Sequence, residues 1–197
     1  WFNGTNSYVS VNQTSGAAVT GAPFTVTATI WQDVAVTAEY PTVVSDGQFL
    51  PGPYWPGYVL RYERIWNNLT AYGGNATQKT YGVAQTNWLP EHGGGWVDVA
   101  LTHDGTRARL YVEGRLAASE TTAFSACQQA ELRIGGGHVN QPAAYWRGAI
   151  DDVRIYRSAL GTNELAAVNE WIGDADGDGL GNGREYELGT DPRDGDT

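Results

Sequence analysis

Between Asp174 and Glu185 the chain reads D-A-D-G-D-G-L-G-N-G-R-E. Asp174, Asp176 and Asp178 place carboxylates at the first, third and fifth positions of twelve, Leu180 a carbonyl at the seventh, and Asn182 a side chain at the ninth. Glu185 closes the run with a carboxylate able to bind through both oxygens, and Gly179 occupies the sixth position, where such loops turn sharply. Four carboxylates this close repel one another unless a hard cation lies among them. Every ligand position is filled, so the spacing predicts an EF-hand-like loop holding Ca2+ rather than a solvated acidic tail. Mg2+ resists a cage of so many carboxylates and is not expected there.

A second set of residues has the chemistry to hold a sugar, whose C–H faces stack on Trp and Tyr while planar polar groups read its hydroxyls. Pro51, Pro53 and Pro56 stiffen a loop that carries Tyr54 and Trp55. A glycine-rich loop, Asn87 to Gly95, carries Trp88 and His92. Trp66 and Tyr72 lie between these loops in sequence, and Asn140 is a further polar candidate. Arg61 and Arg64 matter because a guanidinium fork grips carboxylate or sulfate through paired hydrogen bonds. The expected ligand-binding set is therefore Tyr54, Trp55, Arg61, Arg64, Trp66, Tyr72, Trp88, His92 and Asn140.

Catalytic constellations are not legible. Asp151 and Asp152 are neighbours on a strand and so point to opposite faces, while Glu185 and Glu187 lie in the C-terminal appendage. His92, His103 and His138 lack the spacing of a metal-ligating helix, and no G-x-S-x-G elbow occurs. A binding module is expected rather than an enzyme.

The elements that must position these residues read as short strands. Phe24 to Trp31 alternates apolar and polar residues, as does Tyr8 to Val11. Tyr58 to Tyr62, Asn68 to Tyr72, Trp96 to Thr102, Arg107 to Tyr111, Glu131 to Ile134 and Ala149 to Tyr156 follow, with turn signals such as His103-Asp104-Gly105-Thr106 between them. Closely spaced strands without helical periodicity predict an all-β antiparallel sandwich. Near the end the period changes, and a short helix capped by Thr162 is expected over residues 162–172. A length of 197 residues, 41% of them hydrophobic, suits one large β domain with a small appendage. The division falls near Gly173, giving a sandwich over residues 1–172 and a calcium segment over residues 173–197.

The net charge of −10 disfavours a nucleic-acid partner, and no apolar run is long enough to insert in a membrane as a helix. The lone Cys127 cannot form an internal disulfide and is expected to be a small buried residue. The chain opens on Trp1-Phe2-Asn3-Gly4 without a signal peptide and reads as one part of a longer protein, with neighbouring domains covalently attached.

Three stretches in order, F-N-G-T-N-S-Y-V (2–9), W-V-D-V-A-L-T-H-D-G (96–105) leading into L-Y-V-E-G (110–114), and G-A-I-D-D-V-R-I-Y (148–156), resemble the laminin-G-like, concanavalin A-like jelly-roll superfamily. The resemblance spans residues 2 to about 172. It implies core positions for Trp96 and Tyr111, core or rim packing for Trp146, and a surface turn position for His103. It also implies a structural Ca2+ near Asp151. Strand parity agrees in one respect, since alternation puts Asp151 on the face of Val153 and Ile155, where an unpartnered carboxylate is costly. Backbone N–H groups satisfying Asp151 are an equal alternative. The segment Asp174 to Pro192 resembles thrombospondin type 3 and dockerin-like calcium repeats, which implies a secreted or cell-surface setting. Taken together, the expectation is a non-catalytic carbohydrate-binding module of a secreted, bacterial polysaccharide-degrading enzyme, its partner a polysaccharide and Ca2+ a structural ion. The alternative is a protein-interaction or adhesion module of a bacterial surface protein.

Overall fold

The structure, a computed structural model, describes residues 1–12, 23–47, 56–74, 79–122, 127, 131–137, 144–168, 188–191 and 194–195. In chain order the strands are β1 (Phe2–Asn3), β2 (Val9–Asn12), β3 (Phe24–Gln32), β4 (Thr42–Gly47), β5 (Gly57–Glu63), β6 (Asn68–Gly74) and β7 (Lys79–Gln85). A short helix α1 (Trp88–His92) precedes β8 (Trp96–His103), β9 (Arg107–Val112), β10 (Arg115–Thr121), β11 (Glu131–Ile134) and β12 (Arg147–Tyr156), and α2 (Thr162–Val168) follows. They form two six-stranded antiparallel sheets, ordered β1-β12-β3-β8-β9-β10 and β2-β11-β4-β5-β6-β7. This is the all-β antiparallel sandwich that the strand pattern predicts.

Alternation decides which face of each strand is inward. Phe24, Val26, Ala28 and Ile30 of β3, with Val97, Val99 and Leu101 of β8, face Tyr58, Leu60 and Tyr62 of β5 in one continuous core. The residues between them point outward. On the first sheet Trp31 and Trp96 are cross-strand partners, as are Thr29 and Asp98, and the Thr29 hydroxyl donates to Asp98 at 2.6 Å. Two glycines are required by close approach. A Cβ at Gly57, where φ is +91°, would stand 1.9 Å from the Asp46 carbonyl, and one at Gly148, φ +139°, would stand 2.0 Å from that of Trp31.

The closing strand departs from simple parity. Asp152 adopts a left-handed conformation, φ 47°, and the β3–β12 register shifts between Asp151 and Arg154. The bulge re-phases the strand, so Ile150, Val153 and Ile155 all pack against the core. Asp151 is consequently exposed rather than turned toward the apolar side. Its carboxylate accepts from the Asp152 N–H at 2.8 Å.

Helix α2 packs Leu160 and Leu165 onto Ala100 and Tyr111, covering one end of the first sheet's outer face. Its cap is Gly161 and not Thr162. The Gly161 carbonyl accepts from the Leu165 N–H, and its own N–H donates to the Glu164 carboxylate, half of a capping box. The helix is described to Val168, and the expected boundary near Gly173 lies outside the described residues.

Candidate functional site

On β5 the sequence R-Y-E sets Arg61 and Glu63 outward on either side of the core residue Tyr62. On β11, E-L-R does the same with Glu131 and Arg133 around buried Leu132. Residues two apart on a strand share a face, so each pair meets. Arg61 donates through Nη2 and Nε to Glu63 at 2.6 and 3.2 Å. Arg133 is paired with Glu131, and its Nη1 donates to the Gly137 carbonyl at 3.1 Å. Only β4 separates the two strands, and through Ser45 the register sets Arg133 in line with Val59, two residues from Arg61 along β5.

Each guanidinium carries an aromatic ring. The Tyr40 ring centroid is 4.3 Å from the Arg61 carbon, and that of Tyr8 is 4.8 Å from Arg133. Tyr145 stands beside Tyr8, ring centroids 6.2 Å apart. Burial raises the Tyr40 phenol above its usual pKa, assisted by a hydrogen bond to Glu39, so it stays protonated and donating at neutral pH. The Ser10 hydroxyl, and then Arg133, hold Glu131 below the usual carboxylate range. The result is two fixed Arg–Glu pairs on one sheet face, mostly buried, each with a tyrosine ring against its guanidinium.

The expected site residues divide sharply. Arg61 is central to this face, although only 6% exposed. Arg64 and Trp66 are exposed in the β5–β6 turn, Trp66 at 59%. Tyr72 stands opposite Val59 in the β5–β6 register. Tyr54, Trp55, Asn140 and the whole Asp174, Asp176, Asp178, Leu180, Asn182, Glu185 set lie outside the described residues.

Trp88 is not placed to stack on a ligand. It is 1% exposed, its indole donates to the Gln32 side-chain oxygen at 2.8 Å, and its backbone N–H donates to the Asn67 carbonyl at 2.9 Å. Asn67, itself left-handed at φ 51°, also accepts from Tyr62 and from the Leu89 N–H, pinning α1 to the hairpin. Helix α1 thus turns Trp88 inward and leaves His92 tilted against it, ring centroids 4.5 Å apart. His92 lies away from the Arg61 face, by Glu91 and Glu113.

Two further expectations are corrected. Trp96 is 37% exposed on the outer face of the first sheet, because the inward positions of β8 begin at Val97. His103 is 2% exposed, its ring between Phe24 and the backbone, with Nδ1 accepting from the Gly105 N–H and Nε2 3.1 Å from the Thr122 carbonyl. Asp151, exposed at the bulge, accepts the Asp152 backbone N–H at 2.8 Å, in keeping with the backbone alternative of its two expected partners. Tyr111, Trp146 and Cys127 are buried as expected.

Arg133, Glu131, Glu63, Tyr8, Tyr40 and Tyr145 escaped sequence reasoning. The usable signal was local: an opposite-charge pair spaced by one apolar residue within a strand, at 61–63 and again at 131–133. The tyrosines come from distant segments and had none.

A family model described as the concanavalin A-like lectin/glucanases superfamily matches residues 3–166. No curated protein sequence matches the chain. Among solved structures, the fold is similar to the CBM40 domain of a Ruminococcus gnavus IT-sialidase bound to α2,3-sialyllactose, with 19% identity, TM-score 0.62, and coverage of 79% of this chain and 85% of that one. It is also similar to a Trypanosoma rangeli sialidase in complex with sialic acid (19%, TM-score 0.52, 73% of this chain and 22% of that one). A third is a heptameric SAP-like pentraxin from Limulus polyphemus (16%, TM-score 0.51, 76% and 69%). Identities this low establish a shared fold.

Proposed function

The chain belongs to the concanavalin A-like lectin/glucanases superfamily, and from that premise we propose that it is a non-catalytic carbohydrate-binding module for a polysaccharide bearing carboxylate or sulfate groups. The observation that carries this reading is the pair of Arg–Glu units on β5 and β11, each under a tyrosine ring. A sugar hydroxyl both donates and accepts, and a face alternating carboxylate oxygens with guanidinium N–H groups answers both needs. A carboxylate or sulfate on the sugar adds a charge-assisted bond that a neutral sugar lacks. Sialyllactose in the similar Ruminococcus domain supports the same ligand class.

The decisive experiment is isothermal titration of the full chain with α2,3-sialyllactose, with lactose as control. Saturable binding of the first and at least tenfold weaker binding of the second is expected. Equal affinity for both would remove the anionic preference, and no binding of any acidic or sulfated glycan in a wider screen would overturn the reading.

The donor chemistry of the Asp174–Glu185 loop suits Ca2+, with Asp174, Asp176, Asp178, Asn182, Glu185 and the Leu180 carbonyl as its ligands. We read it as a structural ion that stiffens the join to a neighbouring domain. A secreted, bacterial polysaccharide-degrading enzyme is the parent that this combination fits. An adhesion role is favoured by one observation, the adjacent exposed Ile65 and Trp66 at the β5–β6 turn, at 61% and 59%. A protein partner would make Ile65→Ser costly, whereas glycan binding at Arg61 and Arg133 would tolerate it.

A further inference from the structure

Away from the arginine face, a cleft of about 360 Å³ opens between α1, the Gly93–Gly95 turn and the β9–β10 turn, lined in part by Glu91, His92, Trp96 and Glu113. It lies by the outer face of the first sheet, on the other side of the sandwich from Arg61 and Arg133. The volume is that of a small-ligand pocket. Trp96 presents a partly exposed indole at its edge, and its cross-strand partner Trp31 packs tilted against Trp1, ring centroids 5.2 Å apart, extending an aromatic strip beyond the cleft.

The polar lining is unusual in its construction. Glu113 and Gly114 both have positive φ, 50° and 67°, in the two-residue turn that joins β9 to β10. Asn, Asp or Gly normally take the first of these positions, and a glutamate there bears backbone strain. The strain is matched by a long side chain folded back so that Oε1 accepts the Asp98 N–H at 2.7 Å while the carboxyl lines the cleft. Glu91 is likewise fixed, accepting from Asn87 at 2.9 Å, with the His92 imidazole 3.8 Å away. His92 is held in turn by its tilted contact with the ring of buried Trp88.

We propose that this cleft is a separate subsite for an uncharged pyranose ring, with Trp96 as the stacking platform and the Glu91 and Glu113 carboxylates accepting from sugar hydroxyls. The chemistry of the lining selects that class. Among the described residues lining it there is no Lys or Arg, so an anionic sugar meets two carboxylates and no guanidinium. A cation is a poorer match, because Trp96 is the one Trp, Tyr or Phe among those lining residues, whereas ammonium groups are held by several rings. Arg115 acting on Glu113 also offsets the acidic charge. Burial raises the Glu113 pKa above its ordinary value, in keeping with a carboxyl tucked beside β8. The inference goes beyond the arginine-face reading and does not depend on it.

The test is a ¹H–¹⁵N titration of the full chain with cellotetraose, xylotetraose, maltotetraose and mannotetraose, following the Trp96 indole N–H assigned through Trp96→Phe. At least one neutral oligosaccharide should shift that resonance saturably. Trp96→Ala should weaken the binding about tenfold or more, and Glu113→Gln, which keeps the shape of the turn, several-fold. Failure of all four to move the Trp96 signal at millimolar concentration, or affinity that survives both substitutions, overturns the proposal. So does binding confined to a chitosan tetramer, which would make the cleft a cation site, or shortened products after incubation, which would make it catalytic. Sialyllactose reports on the other face through the Arg61 and Arg133 side-chain resonances, so loss of either reading is seen separately.

Discussion

The ring of Tyr8 lies over the Arg133 guanidinium, 4.8 Å from its centroid, while Glu131 holds the same group from within β11. Tyr8 precedes β2, and Arg133 lies 125 positions further along the chain. The β2–β11 pairing, with Ser10 opposite Arg133, is what brings them together. Arg133→Lys keeps the charge but loses the planar fork and the stack. Affinity for α2,3-sialyllactose should fall about tenfold by titration calorimetry, and an unchanged Kd would remove Arg133 from the site.

Trp88 makes the opposite prediction. Trp88→Phe removes the indole donor from the buried Gln32 oxygen and should cost about 1–3 kcal/mol in urea unfolding. Sialyllactose affinity of the folded protein should not change. A loss of affinity at constant stability would restore Trp88 as a ligand contact.

Gly148 should tolerate no side chain. Gly148→Ala places a methyl 2.0 Å from the Trp31 carbonyl at φ +139°, so β12 must shift from β3. A loss of about 3 kcal/mol or more is expected, read as a fall in Tm. A variant of wild-type Tm would show that this closing pair is not tightly determined.

Asp104 sets part of the acid sensitivity. The Thr106 N–H, the Arg109 guanidinium and the Arg107 N–H hold its carboxyl well below the ordinary 3.8. A depressed carboxylate stabilises the fold above its unfolded pKa, and that contribution drains away as pH falls through the folded value. Stability should therefore decline below about pH 4, and Asp104→Asn should flatten the decline. Identical pH profiles for the two proteins would exclude Asp104 as a contributor.

Chelation tests the calcium loop. If Asp174, Asp176, Asp178, Asn182 and Glu185 hold Ca2+, EDTA should lower the melting temperature of the full chain and excess Ca2+ restore it, because a ligand bound only by the folded state stabilises it. Asp178→Ala should remove the response. A melting curve indifferent to EDTA, with no metal by elemental analysis, would count against the loop.

What the amino-acid sequence determined by itself was periodic and local. Alternation in Phe24–Trp31 and Tyr58–Tyr62 specified which side chains face inward, since a strand repeats every second residue, and turn residues marked where strands end. What tertiary structure decided was everything that depends on a break in period or on a partner far along the chain. The bulge at Asp152 exposed Asp151, against the parity expectation, because one extra residue re-phases all that follows. One turn of α1, pinned by Asn67, buried Trp88 and left His92 by a different cleft from the one its loop composition suggested. Arg61 was legible as a guanidinium on a strand, but its stack on Tyr40, and that of Arg133 on Tyr8 across the same sheet, depend on strand pairing, which no local pattern encodes.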